Sequence, residues 1–167
     1  MLRRVHKALA ARCSEVILVG SGSATLKGVR KVADERAGGQ GPLAGMEAGL
    51  AAARNRLVFV AAGDLPFLPE ELVGFLLERL EERGACAAVP RHEGRTHPLC
   101  AAYERRIVSQ VRSLLDGGTR SVRELLGDLD PVYYAEEELR RFGDPELFLM
   151  NVNAPQDLGR ARREAAP

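Results

Sequence analysis

Short apolar runs closed by turn residues alternate along this chain with segments whose apolar residues recur every three or four positions. Met1–Cys13 carries Leu2, Val5, Leu9 and Ala10 or Cys13 at helical spacing, with basic residues on the other face, which predicts an amphipathic helix. Glu15–Val19 (EVILV) predicts a buried strand that runs into Gly20-Ser21-Gly22-Ser23, and Val29–Val32 predicts a short strand ending near Asp34. A glycine-rich loop, Gly38 to Gly45, then opens a helix that continues to about Arg54.

The apolar run beginning at Leu57 reads as a strand covered on both faces, and it ends in Gly63-Asp64-Leu65-Pro66. Pro69–Arg83 is predicted helical: proline and two glutamates open it, arginines lie near its end, Gly84 stops it, and Leu72, Phe75, Leu76 and Leu80 form its stripe. Ala85–Val89 and Leu99–Tyr103 predict strands on either side of a charged hairpin or loop, Pro90 to Thr96. Glu104–Asp116 predicts a helix, Ser121 and Glu124 a capping box for a short helix over Val122–Leu126, and Val132–Ala135 and Leu147–Met150 two further strands. The last delivers Asn151-Val152-Asn153 to a helix start, where Asn153 suits an N-cap. Strands alternating with helices imply a three-layer α/β/α fold with a mostly parallel, Rossmann-like sheet.

At 167 residues, with 46% hydrophobic content, the chain fits a single domain over residues 1–167 with a substantial core. Its 24 basic and 23 acidic residues are interspersed, without the basic stripe of a nucleic-acid binder. Cys13, Cys86 and Cys100 are an odd, widely spaced set that suits neither a disulfide framework nor a zinc site and points to a reducing compartment. No run approaches a membrane span, so a cytoplasmic, soluble protein without membrane partners is expected.

The chemistry concentrates in the loops. Asp64 stands just past the carboxyl end of a buried strand, where open α/β sheets bind ligands; a metal or phosphate role competes there with simple turn chemistry. The glycines before the second helix allow close backbone approach, and the helix's first N–H groups are free to meet an anion, as a nucleotide cradle or only as a flexible helix start. Gly20-Ser21-Gly22 lacks the third glycine and the following helix of a dinucleotide fingerprint. Arg120 and Arg123 flank the Ser121 cap as solvated arginines or a phosphate clamp, and Asn151 has no capping role to explain it.

Four segments in order, Gly41-Pro42-Leu43-Ala44-Gly45-Met46, Gly63-Asp64-Leu65-Pro66-Phe67-Leu68, Thr96-His97-Pro98-Leu99 and Met150-Asn151-Val152-Asn153-Ala154-Pro155, resemble successive motifs of the molybdenum cofactor guanylyltransferases, the MobA family. The resemblance covers Met1 to about Arg162. It implies a nucleotide-diphospho-sugar transferase fold and the joining of GMP from GTP to molybdopterin carrying molybdenum, with release of pyrophosphate. It also implies Asp64 as the catalytic ligand of Mg2+ and the phosphates, Asp34 against the guanosine, Gly41, Pro42, Leu43 and Gly45 along the nucleotide, and His97, Asn151 and Asn153 on the pterin side. Molybdoenzymes or their chaperones are the further partners it suggests. Bringing two phosphates together calls for alignment and charge neutralisation and no covalent nucleophile.

Family members open with a strand and a signature loop of the form L-A-G-G-x-x-x-R-M-G-x-x-K, and this sequence has no counterpart of either. Met1–Cys13 resembles the helix that follows that loop. The resemblance therefore implies an N-terminally truncated fold whose sheet lacks a central strand, with apolar faces left open, and a triphosphate site without its cationic half, hence weak GTP binding and turnover. Competing expectations are another nucleotidyltransferase of the same fold using CTP or a sugar phosphate, a non-catalytic remnant that binds a molybdoenzyme or chaperone through the exposed sheet, and an NAD-type Rossmann protein built on Gly20–Ala24.

Overall fold

The computed structural model describes residues 1–20, 22, 24–33, 36 and 41–152. The order of elements is α1 (Leu2–Ala10), β1 (Ile17–Val19), β2 (Arg30–Val32), α2 (Gly41–Ala52), β3 (Leu57–Ala61), α3 (Glu70–Arg83), β4 (Ala87–His92), β5 (Arg95–Thr96), β6 (Cys100–Glu104), α4 (Val108–Asp116), α5 (Val122–Asp128), β7 (Val132–Tyr134), α6 (Glu136–Leu139) and α7 (Pro145–Phe148). A 3-10 turn, Arg105–Ile107, leads into α4.

Side chains alternate across the strands and sort the core into two halves. Cys100 and Ala102 of β6 join Ala88 of β4 in a cluster filled by Leu72, Phe75, Leu76 and Leu80 of α3 and by Val5 of α1. Ala101 and Tyr103 face the other way with Ala87 and Val89, against Leu43, Met46 and Leu50 of α2, Ile107, and Val111 of α4. Helices thus cover both faces, in the expected three layers. The small residues of β4 and β6 let those helices approach closely, while Phe75 packs edge-on to Tyr134 at 5.0 Å between ring centres.

The sheet is in two pieces. β1 and β2 pair in parallel, Ile17 to Arg30 through Val19 to Val32. The larger piece has the order β3-β6-β4-β5, with β7 added to β4. β6 is antiparallel to β3 and β4, whereas β7 is parallel to β4, so β3, β4 and β7 share one direction that β6 and the two-residue β5 oppose. Ser14, just before β1, accepts a hydrogen bond from Asn55 Nδ2, just before β3, at 3.1 Å, so the two strands start near one another. The pairings among the described residues are therefore mixed: β1–β2 and β4–β7 are parallel, and β3–β6, β4–β6 and β4–β5 are antiparallel. Among the described residues no strand pairs with β1 on the side away from β2, or with β3 on the side away from β6.

Local chemistry explains most of the boundaries. Gly84 closes α3 in the left-handed conformation at φ 61°. Glu93 and Gly94, at φ 47° and 72°, make the tight turn between β4 and β5, so the hairpin reading of residues 90–96 holds. Ser121 caps α5 by accepting Glu124 N–H at 3.4 Å. The reciprocal half of that box is absent, since the Glu124 carboxylate instead accepts the Thr119 hydroxyl at 3.2 Å.

The predicted strand at Leu147–Met150 is a correction: Pro145–Phe148 is a helical turn, started by Pro145 and by Asp144, whose carboxylate accepts Glu146 N–H at 3.0 Å. The helix start at Ala154–Asp157, with its cap Asn153, lies outside the described residues, as do Asp34 and residues 37–40.

Candidate functional site

Asp64 is delivered by β3. The strand's last side chain, Ala61, is packed into the core, and the chain then turns through exposed Gly63 to put the carboxylate at the strand's carboxyl end. A Cβ at Gly63 would stand 3.4 Å from the Leu2 side chain of α1, so the turn lies against that helix. Buried Leu65 and Leu68 anchor the far side of the turn. Asp64 Oδ1 is buried and has no hydrogen-bond partner among the described residues, which is costly for a carboxylate oxygen unless a cation or donor arrives.

Three contacts gather the other loops at the same end of the sheet. Val152 N–H donates to the Asp64 carbonyl at 2.9 Å, which sets exposed Asn151 next to the aspartate while Val152 itself is fully buried. Ala62 N–H donates to the Leu99 carbonyl at 2.8 Å, so the His97-Pro98-Leu99 segment runs alongside the approach to Asp64. Gly41, at φ 77° at the start of α2, faces the Arg120 carbonyl; a Cβ there would be 3.7 Å from it. Arg123, one turn on from Arg120, is close enough to act on the charge of His97.

His97 is held rigidly. Its N–H donates to the Pro90 carbonyl and its own carbonyl accepts Cys100 N–H, both at 3.0 Å. The buried hydroxyl of Tyr103 fixes the neighbouring Pro98 carbonyl at 2.8 Å. Burial first, then the positive charges of His92, Arg123 and Arg95, hold the imidazole below the ordinary histidine pKa, so it is neutral at pH 7. Its Nε2 is buried and has no partner among the described residues.

Of the sequence-predicted site residues, Asp64, His97, Asn151 and the start of α2 are brought together. Gly41 and Pro42 are exposed there, and Gly45 lines the neighbouring cavity. Leu43 is fully buried against the second core half, so its side chain anchors α2 and only its backbone is available to a ligand. Asp34 and Asn153 lie outside the described residues.

Sequence reasoning left Arg95 unassigned and weighed Arg120 and Arg123 only as solvated arginines or a phosphate clamp. Arg95, Arg120 and Arg123 are exposed and have no ion-pair partner among the described residues, which leaves a cationic rim beside a neutral histidine. The signal available was the pair of arginines flanking the Ser121 cap; the fold was needed to bring Arg95 to them. A second network braces the helices behind the site. Arg36 binds the Glu47 carboxylate at 2.6 Å and Asp116 at 2.8 Å, and Arg112 reaches Glu47 at 3.1 Å, which ties α2 to α4. The Arg36 hydrogen bond, more than that of Arg112, holds the Glu47 carboxyl below its ordinary pKa.

Among the described residues no three His, Cys, Asp or Glu side chains form a ready-made metal cage, and no helix is long and apolar enough to cross a membrane. One carboxylate with an orphaned oxygen fits a cation that takes its remaining ligands from a substrate and water, as magnesium does beside phosphates.

A three-layer α/β/α sheet with a glycine-started helix, an aspartate turn and a basic rim at one end is the arrangement of this molecule. The same architecture is found in the 2-C-methyl-D-erythritol 4-phosphate cytidylyltransferase of Thermus thermophilus, at a TM-score of 0.69 with 21% identity, over 98% of this chain and 87% of that one. The pattern of the MobA-like NTP transferase domain matches residues 1–132, and the chain belongs to that family. It is 36% identical over 164 residues to the probable molybdenum cofactor guanylyltransferase of Pelotomaculum thermopropionicum, covering 97% of this chain and 78% of the relative. The solved molybdopterin-guanine dinucleotide biosynthesis protein A of Archaeoglobus fulgidus superposes with a TM-score of 0.77 at 28% identity, over 96% and 84% of the two chains.

Proposed function

We propose that this chain carries the site of a molybdenum cofactor guanylyltransferase, which transfers GMP from GTP to molybdopterin carrying molybdenum. A phosphate oxygen of the pterin bonds to the α-phosphorus of GTP, the bond to the β-phosphate breaks, and pyrophosphate leaves. The observation that carries this reading is the orphaned Asp64 Oδ1 at the carboxyl end of β3, beside Asn151 and the His97 loop.

In this reading Asp64 holds the magnesium ion, which supplies charge neutralisation and alignment of the triphosphate. The backbone of Gly41 to Gly45 lies along the nucleotide, with glycine and proline exposed where a base or ribose approaches, and Asp34 contacts the guanosine. His97, Asn151 and Asn153 face the pterin. The neutral imidazole accepts or donates a hydrogen bond there without adding charge, and Arg95, Arg120 and Arg123 draw in the anionic second substrate. Magnesium, cytoplasmic location and hand-over to a molybdoenzyme or its chaperone belong to the same proposal.

The test is nucleotide selectivity. A thermal-shift panel of GTP, CTP and UTP with magnesium is expected to raise the melting temperature with GTP alone. A shift with CTP instead would move the assignment to a cytidylyl enzyme of the same fold, and a shift with none would overturn the proposal.

A further inference from the structure

Five side-chain atoms are buried without a partner among the described residues: Asp64 Oδ1, both ring nitrogens of His92, His97 Nε2 and the Tyr134 hydroxyl. Asp64 belongs to the proposed metal site, and Tyr134 is packed against Phe75 in the core. Three of the five thus lie on two histidines, and His92 has no part in the proposed reaction.

The register of the β4–β5 hairpin brings these two rings together. His92 pairs with Arg95 and Arg91 with Thr96, and the ladder continues one step to Pro90, whose carbonyl accepts His97 N–H at 3.0 Å. Side chains two apart in a strand share a face, so His92 and His97 are diagonal neighbours on one face of the hairpin. Their Cβ atoms are then roughly 7 Å apart, which two imidazole rings can span. The charge of a protonated His92 acts on His97 more strongly than Arg123 or Arg95 does, as that closeness would produce.

On its other side β4 pairs with β7, Pro90 opposite Tyr134. Two residues on, at the start of α6, Glu136 stands beside His92, with Oε2 3.3 Å from His92 Nδ1. The alignment falls short of a formed hydrogen bond, as is common in unliganded sites, and a small turn of the ring completes it. Arg140, one turn along, binds Oε1 of the same carboxylate at 2.5 Å, and that bond above all holds Glu136 below the usual carboxyl range. Arg140, Glu136, His92 and His97 therefore form a row across the strand ends.

The ionised carboxylate only accepts, so it selects the N–H at His92 Nδ1. That leaves His92 Nε2 a bare, buried acceptor, diverging from Glu136 across the ring. Buried bare nitrogens call for donors, and the enclosed Nε2 of His97 is the one placed to supply an N–H. The other ring nitrogen of His97, Nδ1, is not enclosed in this way.

We infer that Glu136 and His92 are positioning residues for His97: Glu136 accepts His92 Nδ1–H, His92 Nε2 accepts His97 Nε2–H, and His97 is left with a bare Nδ1 that can only accept from a ligand. The group that meets His97 is then an N–H or O–H donor, and a carbonyl or phosphate oxygen is disfavoured at that point. That the ligand is the second substrate rests on the function proposed above; the proton positions do not.

The first test needs neither ligand nor substitution. Two-bond 1H–15N correlation spectra of the whole chain, labelled at histidine and recorded at pH 8, report which nitrogen of each ring carries its proton. The expected pattern is Nδ1–H at His92 and Nε2–H at His97, with His97 becoming a mixture of tautomers in Glu136→Ala and in His92→Phe, which keeps a ring in place. Nδ1–H or a mixture at His97 in the parent, as a bridging water would give, overturns the inference, and so does a His97 pattern indifferent to both variants. The second test is kinetic: Glu136→Ala is expected to raise the KM for the molybdopterin substrate by about three- to tenfold, the loss of one hydrogen bond, and to leave that for GTP unchanged. A rise for GTP alone would overturn the assignment of the ligand. The spectra stand whether or not the chain transfers GMP, so failure of the proposed function and failure of the row are told apart.

Discussion

Asp64 and His97 each carry one buried polar atom, Oδ1 and Nε2, without a partner among the described residues, and their neighbourhoods separate their roles. Asp64 sits where a cation can reach it from the strand's end, while His97 is enclosed by other positive charge and stays neutral. Because the folded protein binds the His97 proton less tightly than the unfolded chain does, the associated stability is fully present above the ordinary histidine pKa of 6.5 and is lost as pH falls below it. Urea denaturation at pH 7.5 and pH 5.5 is expected to show a smaller acid loss in His97→Gln than in the parent; an equal loss would place the acid sensitivity elsewhere. At Cys100, complete burial pushes the thiol up to about 12. A thiol reagent should therefore modify half-buried Cys86 in the native protein and spare Cys100 until the chain unfolds.

At the level of elements, α3 is the principal support of the aspartate turn, because Leu72 and Leu76 pack under β3 and β6 with no exposure. Leu76→Ala is expected to cost about 2–5 kcal/mol in chemical denaturation, as a buried leucine whose site cannot collapse. Ser121→Ala removes the cap of α5 at a cost of about 1 kcal/mol, and it should also loosen the Arg120–Arg123 rim. These elements were readable in the sequence because their signals are local: the α3 stripe, its glycine stop and the serine cap. The misread segment was Leu147–Met150, where an apolar run too short to show a period belongs to a helical turn set by Asp144 and Pro145. The helix α6 escaped notice for a similar reason, since Glu136–Leu139 offers a single turn with one buried leucine.

For the whole molecule, the sequence motifs supplied the members of the site and the topology supplied their meeting. Ala62 to Leu99 and Asp64 to Val152 are pairings across tens of residues that no periodicity encodes. The direction of β6 was equally hidden, because a strand buried on both faces reads the same in either orientation. The divided sheet has a consequence for dynamics. The pair β1–β2 is anchored mainly by α2, where Gly49 approaches Val19 closely, and lacks the two-sided pairing of β6. Its ladder amide at Leu18 is expected to exchange at a lower opening free energy than Ala102 in β6, as native-state hydrogen exchange can measure.

The central claim is that Asp64 holds the metal for nucleotidyl transfer, and one assay addresses it directly. Purified parent chain and Asp64→Asn are each given magnesium, GTP labelled at the α-phosphate and molybdenum-loaded molybdopterin, and transfer of label to the pterin is followed with pyrophosphate release. The account predicts magnesium-dependent transfer by the parent and its loss by about a hundredfold or more in Asp64→Asn, with the melting temperature little changed. Transfer by the variant at the parent's rate would contradict it.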